Sequence, residues 1–532
     1  MHVRRWLLAV LLLMLLSVPR HGEPRPITRF VWVGASDIRG LDPYLLNQSV
    51  QLSLVSNIYE PLVRRGRNFE LQPGLASRWS QPKPLVWRFH LREGARWQDG
   101  TPFTAEDVVF SWHRVLAKSS GMSGSVAAIT AVKAVGENTV EITTHDLDPI
   151  LPQELTEFLI MSKAWCEKYH ATEPADIAAF RSNYAVDHAM GTGPFKVMRR
   201  QPGKTVLIPN PDWWDKPEHN LDEAEFDVIA DPAARIAAFT RSDEVDLLED
   251  VPPDSVPALR QLPSAQLLQK PELRTIFVGM DQSRPDLPGG GRNPFLDRRV
   301  REAFALAIDE QEIAESILHG LAHPTWLLWG PGVSGYDPAQ DHHPAPDLDR
   351  ARQDLAAAGF AGGFNVAMDC PNGRYANDAE ICKSIARMLA AIGVTISVPQ
   401  ETQLVWLRHV GSPLYDASLY LIGWTPDTQD AFQVLDAFAG SRGGDAPLGR
   451  GEWNTGGYSN GRVDALLEHI RSETVPAARQ TELNNATHIL QHDVAYIPLH
   501  QQTLIWAVRN DVKLEQSPDA HLALRYVRKG AG

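Results

Sequence analysis

The sequence predicts an α/β protein of more than one structural unit, on three observations. The chain has 532 residues, more than the roughly 250 to 300 that one hydrophobic core usually supports, so two or three units are expected. A strand pattern leads into a helix pattern over residues 87–116, and a strand, a capped helix and a second strand follow one another at 364–398. Such strand–helix–strand units make parallel sheets with helices on their faces.

Taken in order, Arg4 and Arg5 precede an apolar run over residues 6–16, after which Ser17, Pro19, Arg20, His21 and Gly22 break the pattern. Residues 1–22 read as a secretory signal peptide. The run is about half the ~20 apolar residues of a spanning helix, so the mature protein is expected to be exported and soluble. No small-x-small triplet marks a cleavage site, which leaves an uncleaved anchor as the alternative. A bacterial lipoprotein anchor is excluded because no Cys lies near residue 20.

Trp87, Phe89 and Leu91 alternate with Arg88, His90 and Arg92 as in a half-buried strand, and a turn follows at Asp99-Gly100. Thr104 with Asp107 forms a capping-box pattern, after which Val108, Val109, Trp112, Val115 and Leu116 share one helical face. The Pro- and Gly-rich stretch 285–294 is a loop and a candidate lobe boundary. Asp297 can cap a helix whose Val300, Phe304, Ala307 and Ile308 face the core, with Arg298, Arg301 and Glu302 outward. Residues 364–368 read as a strand; Asn377 with Glu380 caps a helix carrying Ile381, Ile385, Met388 and Leu389; Gly393 ends it; and 394–398 is strand again. Residues 419–422 add another strand. No internal repeat of fixed period is visible.

Composition narrows the function. With 51 basic against 65 acidic residues the net charge is −14, which would repel a nucleic-acid backbone. Loss of residues 1–22 removes Arg4, Arg5 and Arg20 and no acid, making the exported form more acidic still. A 43% hydrophobic chain with 15 Trp residues folds rather than staying disordered, and 3 Cys exclude a disulfide-dense scaffold. The phosphate loop, the dinucleotide Gly-rich turn, the His-Glu-x-x-His helix and the Gly-x-Ser-x-Gly elbow are all missing. Gly191-Thr192-Gly193, followed at once by Pro194, reads as a tight turn. Asp341-His342-His343, between Pro338 and Pro344, reads as a surface loop rather than a metal site. Binding without catalysis, metal or cofactor is the expectation.

Read together, the motifs resemble the peptide-binding family of extracytoplasmic solute-binding proteins of ABC importers, the group of oligopeptide-, dipeptide- and nickel-binding proteins. The resemblance is carried by Leu41-Asp42-Pro43, Ile58-Tyr59-Glu60-Pro61-Leu62-Val63, Pro73-Gly74-Leu75-Ala76 with Trp79, and the stretch 87–112. It continues through Gly191-Thr192-Gly193-Pro194-Phe195, Asn210-Pro211-Asp212-Trp213-Trp214, Arg299-Val300-Arg301 with Ala307-Ile308-Asp309, Gly320, Gly423-Trp424 and Tyr496-Ile497-Pro498-Leu499. It implies a two-lobe periplasmic binding protein with hinge-linked mixed sheets and an extra α/β subdomain, closing on its ligand. Lobe I would be 27–66, 190–277 and 500–532, the extra subdomain 67–189 and lobe II 278–499, with hinge strands near 273–280 and 495–504.

The resemblance also implies site residues. In Trp424-Thr425-Pro426-Asp427, Asp427 would pair with the ligand's α-amino group in a closed cleft, while Gly423, Trp424 and Thr425 offer backbone to an extended ligand. Without the family, Asp427 is a solvated loop aspartate. Arg374, followed by Tyr375, would fork onto the ligand carboxylate; its alternative is an exposed loop position. The family's dipeptide tract has Pro after Tyr, whereas Ala376 stands here, so a simple dipeptide is in doubt. Cys370 and Cys382 flank this loop, and export makes a disulfide between them plausible, with two free thiols as the alternative. Cys166, near Trp165 and Tyr169, is expected to be buried and inert. The expected function is a monomeric periplasmic receptor delivering peptides or peptide-like solutes to an inner-membrane ABC permease. Haem, nickel-chelate or opine receptors of the same family, an exported hydrolase and a periplasmic holdase are the alternatives.

Overall fold

Two long antiparallel strands, Ala265–Met280 and Tyr496–Arg509, organise the protein; they pair from Ala265 opposite Arg509 to Gly279 opposite Tyr496. The structure, a computed structural model, describes residues 27–530 except 178, 289, 400, 427 and 444–448. Residues 1–22, read as a signal peptide, lie outside the described residues. β-Branched and aromatic residues such as Ile276, Phe277, Val278, Ile505, Trp506 and Val508 favour extended backbone in the long pair. The sheet continues on both sides of it. Leu419–Trp424, Phe364–Asp369 and Val394–Ser397 lie on one flank. Leu247–Leu248, Arg29–Gly34, Glu223–Val228, Lys204–Pro209 and Phe195–Gln201 lie on the other, and Ala322–Pro324 pairs off this path. Parallel and antiparallel neighbours are mixed.

The central ladder breaks between Pro271 and Thr275 and again between Ile276 and Phe277. Pro271 has no N–H to give a partner strand, and the residues after it turn to other groups. The Leu273 amide donates to the Pro518 carbonyl. Glu272, fully buried, is held by Arg274 at 2.8 Å and Gln502 at 2.9 Å. On one side of the break the core is built on Phe277, Phe304, Leu389, Leu421 and Phe438; on the other it is built on Phe30, Trp32, Tyr59, Phe226 and Trp506. The result is a two-lobe α/β protein whose lobes share the long strand pair. A four-stranded antiparallel sheet of Ala76–Lys83, Val86–Leu91, Thr139–Thr144 and Ile129–Ala134 contributes Phe89, Val140 and Ile142 to the second core. Among the described residues no helix is long and apolar enough to cross a membrane.

The strand–helix–strand unit forms as expected. Phe364–Asp369 and Val394–Ser397 pair in parallel around the helix Asp378–Ala390, and Gly393 takes φ +88 where that helix ends. Asp107 closes the capping box of Ala105–Val115 by accepting the Thr104 amide at 2.9 Å.

Four expectations are corrected. Asn377 does not cap its helix through its side chain, which donates instead to the Ile317 carbonyl; Asp378 gathers the local amides. Arg301 faces inward rather than outward, because the carbonyls of Phe295, Asp493 and Val494 satisfy its guanidinium in the core. The 285–294 loop is no lobe boundary, since Met280 before it and Phe295 after it share one core. Asp341 and His343 do not lie in a plain surface loop. Asp341 accepts from Thr325, Trp326 and Tyr336, and the His343 side chain is 6% exposed beside Glu310.

Candidate functional site

Among the described residues, Phe364–Asp369 pairs with Leu419–Trp424 only through Met368 and Asp369, and the far half of that strand edge has no strand beside it. Two side chains occupy the edge. The Trp406 indole donates to the Leu421 carbonyl at 3.2 Å, and the Tyr375 hydroxyl accepts the Gly423 amide at 2.9 Å. The same hydroxyl donates to the Gly423 carbonyl at 3.3 Å and accepts from Arg374 Nε at 3.1 Å. Arg374, Tyr375 and Gly423, expected from two distant segments, are therefore brought together. The Gly423 amide is committed to Tyr375, so strand addition by a ligand meets an occupied donor at that residue.

Arg374 is placed by its loop. The Asp378 carboxylate accepts the amides of Gly373, Arg374 and Tyr375 at 3.1, 2.8 and 3.1 Å. Burial pushes its pKa up while these amides pull it down. The Cys370–Cys382 disulfide closes the loop with Cα atoms 6.5 Å apart. Cys166 is buried as a free thiol, its pKa pushed up to about 12 by desolvation.

Arg374 and Trp424 line different cavities. The first is bounded by Ser36, Ser49, Glu249, Arg274, Arg374 and Trp506, so both lobes and the long strand pair contribute. The second lies between residues 121–157 and 424–471 and is lined by Glu154, Glu157, Trp424, Asp436, Glu452 and Arg471. Four carboxylates face one guanidinium there. Burial, then Asp148, holds Glu154 well above the usual carboxylate range. Burial raises Glu157 as well and pushes Glu452 up to about 7. Asp436 is tied down by Arg450 at 2.9 Å and Arg471 at 3.2 Å.

Trp424 packs against Phe438 and Trp453, with ring centroids 5.3 and 5.4 Å away. Its indole nitrogen and the hydroxyl of the buried Thr425 have no hydrogen-bond partner among the described residues. Asp427 lies outside the described residues.

Sequence reasoning missed the acidic lining of the second cavity. Glu154 and Glu157 stand inside the apolar stretch Ile150, Leu151, Leu155, Phe158, Leu159, Ile160, and acids in such a setting were the available signal. It also missed two buried hubs. Asp42 and Arg114 form an ion pair with both side chains fully buried. Glu60 accepts the indoles of Trp213 and Trp214 at 3.1 and 2.7 Å and the Thr192 hydroxyl at 3.0 Å.

Comparison with known proteins bears on this arrangement. Residues 70–446, well over half the chain, match the family model for bacterial extracellular solute-binding proteins, family 5. The periplasmic murein peptide-binding protein MppA of Escherichia coli is 22% identical over 485 residues, covering 87% of this chain and 86% of the relative. The periplasmic oligopeptide-binding protein OppA of Salmonella typhimurium is 23% identical over 501 residues, covering 87% and 85%. Among solved structures, the periplasmic binding protein DppA of Helicobacter pylori in complex with the peptide STSA superposes with a TM-score of 0.82 at 22% identity, covering 94% of this chain and 98% of that one. AgaA of A. tumefaciens R10 in complex with agropinic acid gives 0.82 at 21% identity, covering 95% and 99%.

Proposed function

The chain belongs to family 5 of the bacterial extracellular solute-binding proteins, and from that membership we propose that it is a periplasmic receptor capturing peptides or peptide-like amines for an ABC permease, without catalysis. It works as an exported monomer with residues 1–22 as its signal. Lobe I comprises 27–66, 190–277 and 500–532, the extra subdomain 67–189 and lobe II 278–499. Peptide-binding relatives such as MppA and OppA support the ligand class.

The observation that carries the reading is the acidic cavity beside Trp424. Glu154, Glu157 and Glu452 there outnumber the cationic lining; burial raises their pKa values, and an entering ammonium supplies the counter-charge that lets a buried carboxyl group ionise and pair with it. Asp427, three residues after Trp424, fixes the α-amino group in this reading. Arg374 and Arg274 in the neighbouring cavity suit a carboxylate end. Those same two arginines favour a second reading, an opine receptor like AgaA, which would use that cavity and not the acidic one. Mass spectrometry of solute released on denaturing the purified protein decides between them. Peptides or amines are expected; an opine or a metal chelate would overturn the reading.

A further inference from the structure

We propose that Asp369, Glu401 and His409, with Asp416 beside them, form a binding site for a divalent transition-metal ion of the zinc class, separate from both cavities. Three segments build it. Asp369 ends the strand Phe364–Asp369, Glu401 precedes Thr402, the N-cap of Gln403–Val410, and His409 lies in the last turn of that helix. Asp416 is drawn in because its amide donates to the His409 carbonyl at 3.0 Å.

His409 Nδ1 stands 2.7 Å from an Asp369 oxygen and 3.4 Å from a Glu401 oxygen, and one ligand atom from each residue fits within 4.8 Å of the others. Tetrahedral zinc with bonds of about 2.0 to 2.2 Å sets its donors roughly 3.4 Å apart. The Glu401 separation already has that value. The Asp369 separation would open by roughly 0.7 Å once a metal replaced the proton now shared with the imidazole.

Charge and unmet valence point the same way. The Glu401 side chain is 9% exposed, and among the described residues its buried Oε2 has no hydrogen-bond partner, nor has the buried Asp416 Oδ1. Among the described residues no Lys or Arg pairs with Asp369, Glu401 or Asp416. Three carboxylates thus meet one imidazole, whose side chain is 34% exposed, so the site is rich in oxygen donors and open to a cation from solvent. One imidazole with carboxylate oxygens suits zinc or manganese better than calcium or magnesium. A bound ion would also pin Gln403–Val410, whose Gln403 lines the Arg374 cavity, onto the strand that leads into the Arg374 loop.

The test uses tag-free mature protein with its disulfide intact, stripped with EDTA and titrated calorimetrically with zinc chloride. One ion per chain is expected. Glu401→Gln and His409→Gln should each weaken binding at least about tenfold, since even outer-shell losses typically cost that much; His342→Gln should not. No binding by wild type, or equal binding by both cluster variants, overturns the site. Should the variants fail to fold by near-ultraviolet circular dichroism, anomalous scattering at the zinc edge from wild-type crystals decides. A peak about 2.1 Å from His409 Nδ1 supports the site, and its absence overturns it.

Discussion

The hydroxyl of Tyr375 holds the amide of Gly423 at 2.9 Å, at an edge where the described residues place no neighbouring strand. One oxygen thus joins the Arg374 loop to the strand leading to Trp424. Tyr375→Phe keeps the ring but leaves a buried amide without its acceptor, a loss of about 1–3 kcal/mol. Urea unfolding should show a lower midpoint at unchanged slope; an unchanged midpoint would remove the bridge from the account.

Thiol counting should find one reactive thiol per chain in denaturant without reductant, because Cys370 and Cys382 are bonded and Cys166 is free. In native protein none should react, since Cys166 is buried and its pKa is pushed up to about 12. For a loop closed over a separation of 12 residues, replacing both cysteines with Ser should cost roughly 3 kcal/mol. Three thiols in denaturant would contradict the bond.

These two contacts show where sequence reading stopped. Elements with local signatures were legible: the 364–398 unit from its period and its Gly393, the helix after Thr104 from its capping box. The recurring motifs were legible too, and Glu60 gives a physical reason for their company. It binds Thr192, Trp213 and Trp214 at once, so three distant motifs are one buried cluster. Arg301 and Asn377 were misread because their partners, carbonyls near residues 493 and 317, lie far along the chain. The acidic cavity escaped for the same reason: its carboxylates come from segments about 300 residues apart, and no local pattern joins them.

His500 on the central strand is fully buried, neither ring nitrogen has a partner among the described residues, and desolvation pushes its pKa down to about 3. The unfolded chain takes up that proton near pH 6.5. Its contribution is therefore complete above 6.5 and lost as pH falls, by about 1.4 kcal/mol per pH unit. His500→Leu should flatten the stability profile between pH 6 and 4 by that slope, read from urea midpoints. A slope equal to wild type would place a proton-accepting partner at His500.

Glu452, pushed up to about 7 by burial, should make ligand affinity depend on pH. It is neutral at pH 6 and ionised at pH 8, so binding of an amine-bearing peptide should tighten across that interval, and Glu452→Gln should reduce the trend to what Glu154 and Glu157, also raised by burial, contribute. Stability should move oppositely. Between about 4.5 and 7 the folded state keeps a proton that the unfolded state has released, so folding weakens as pH rises through that window. Calorimetry with a pH-independent affinity would remove Glu452 from the binding surface.

Asp427 carries the sharpest test of the ligand class. In the proposed reading its carboxylate meets the ligand's ammonium in a closed cleft, so Asp427→Ala leaves that charge buried without its partner, typically a loss of about 2–5 kcal/mol. An exposed pair would lose at most about 1 kcal/mol. Calorimetry of a cognate peptide should therefore show affinity falling by about 30-fold or more, a gap too large for a surface charge. N-acetylated peptide should weaken equally on wild type and add no further loss on the variant, because both changes delete one contact. Glu154 and Glu157, which line the acidic cavity with Trp424, supply the control. If acetylation is harmless while Glu154→Gln weakens binding, the cavity takes a basic side chain rather than the chain terminus. If neither matters, the peptide-amine reading fails and the arginine-lined cavity becomes the binding site.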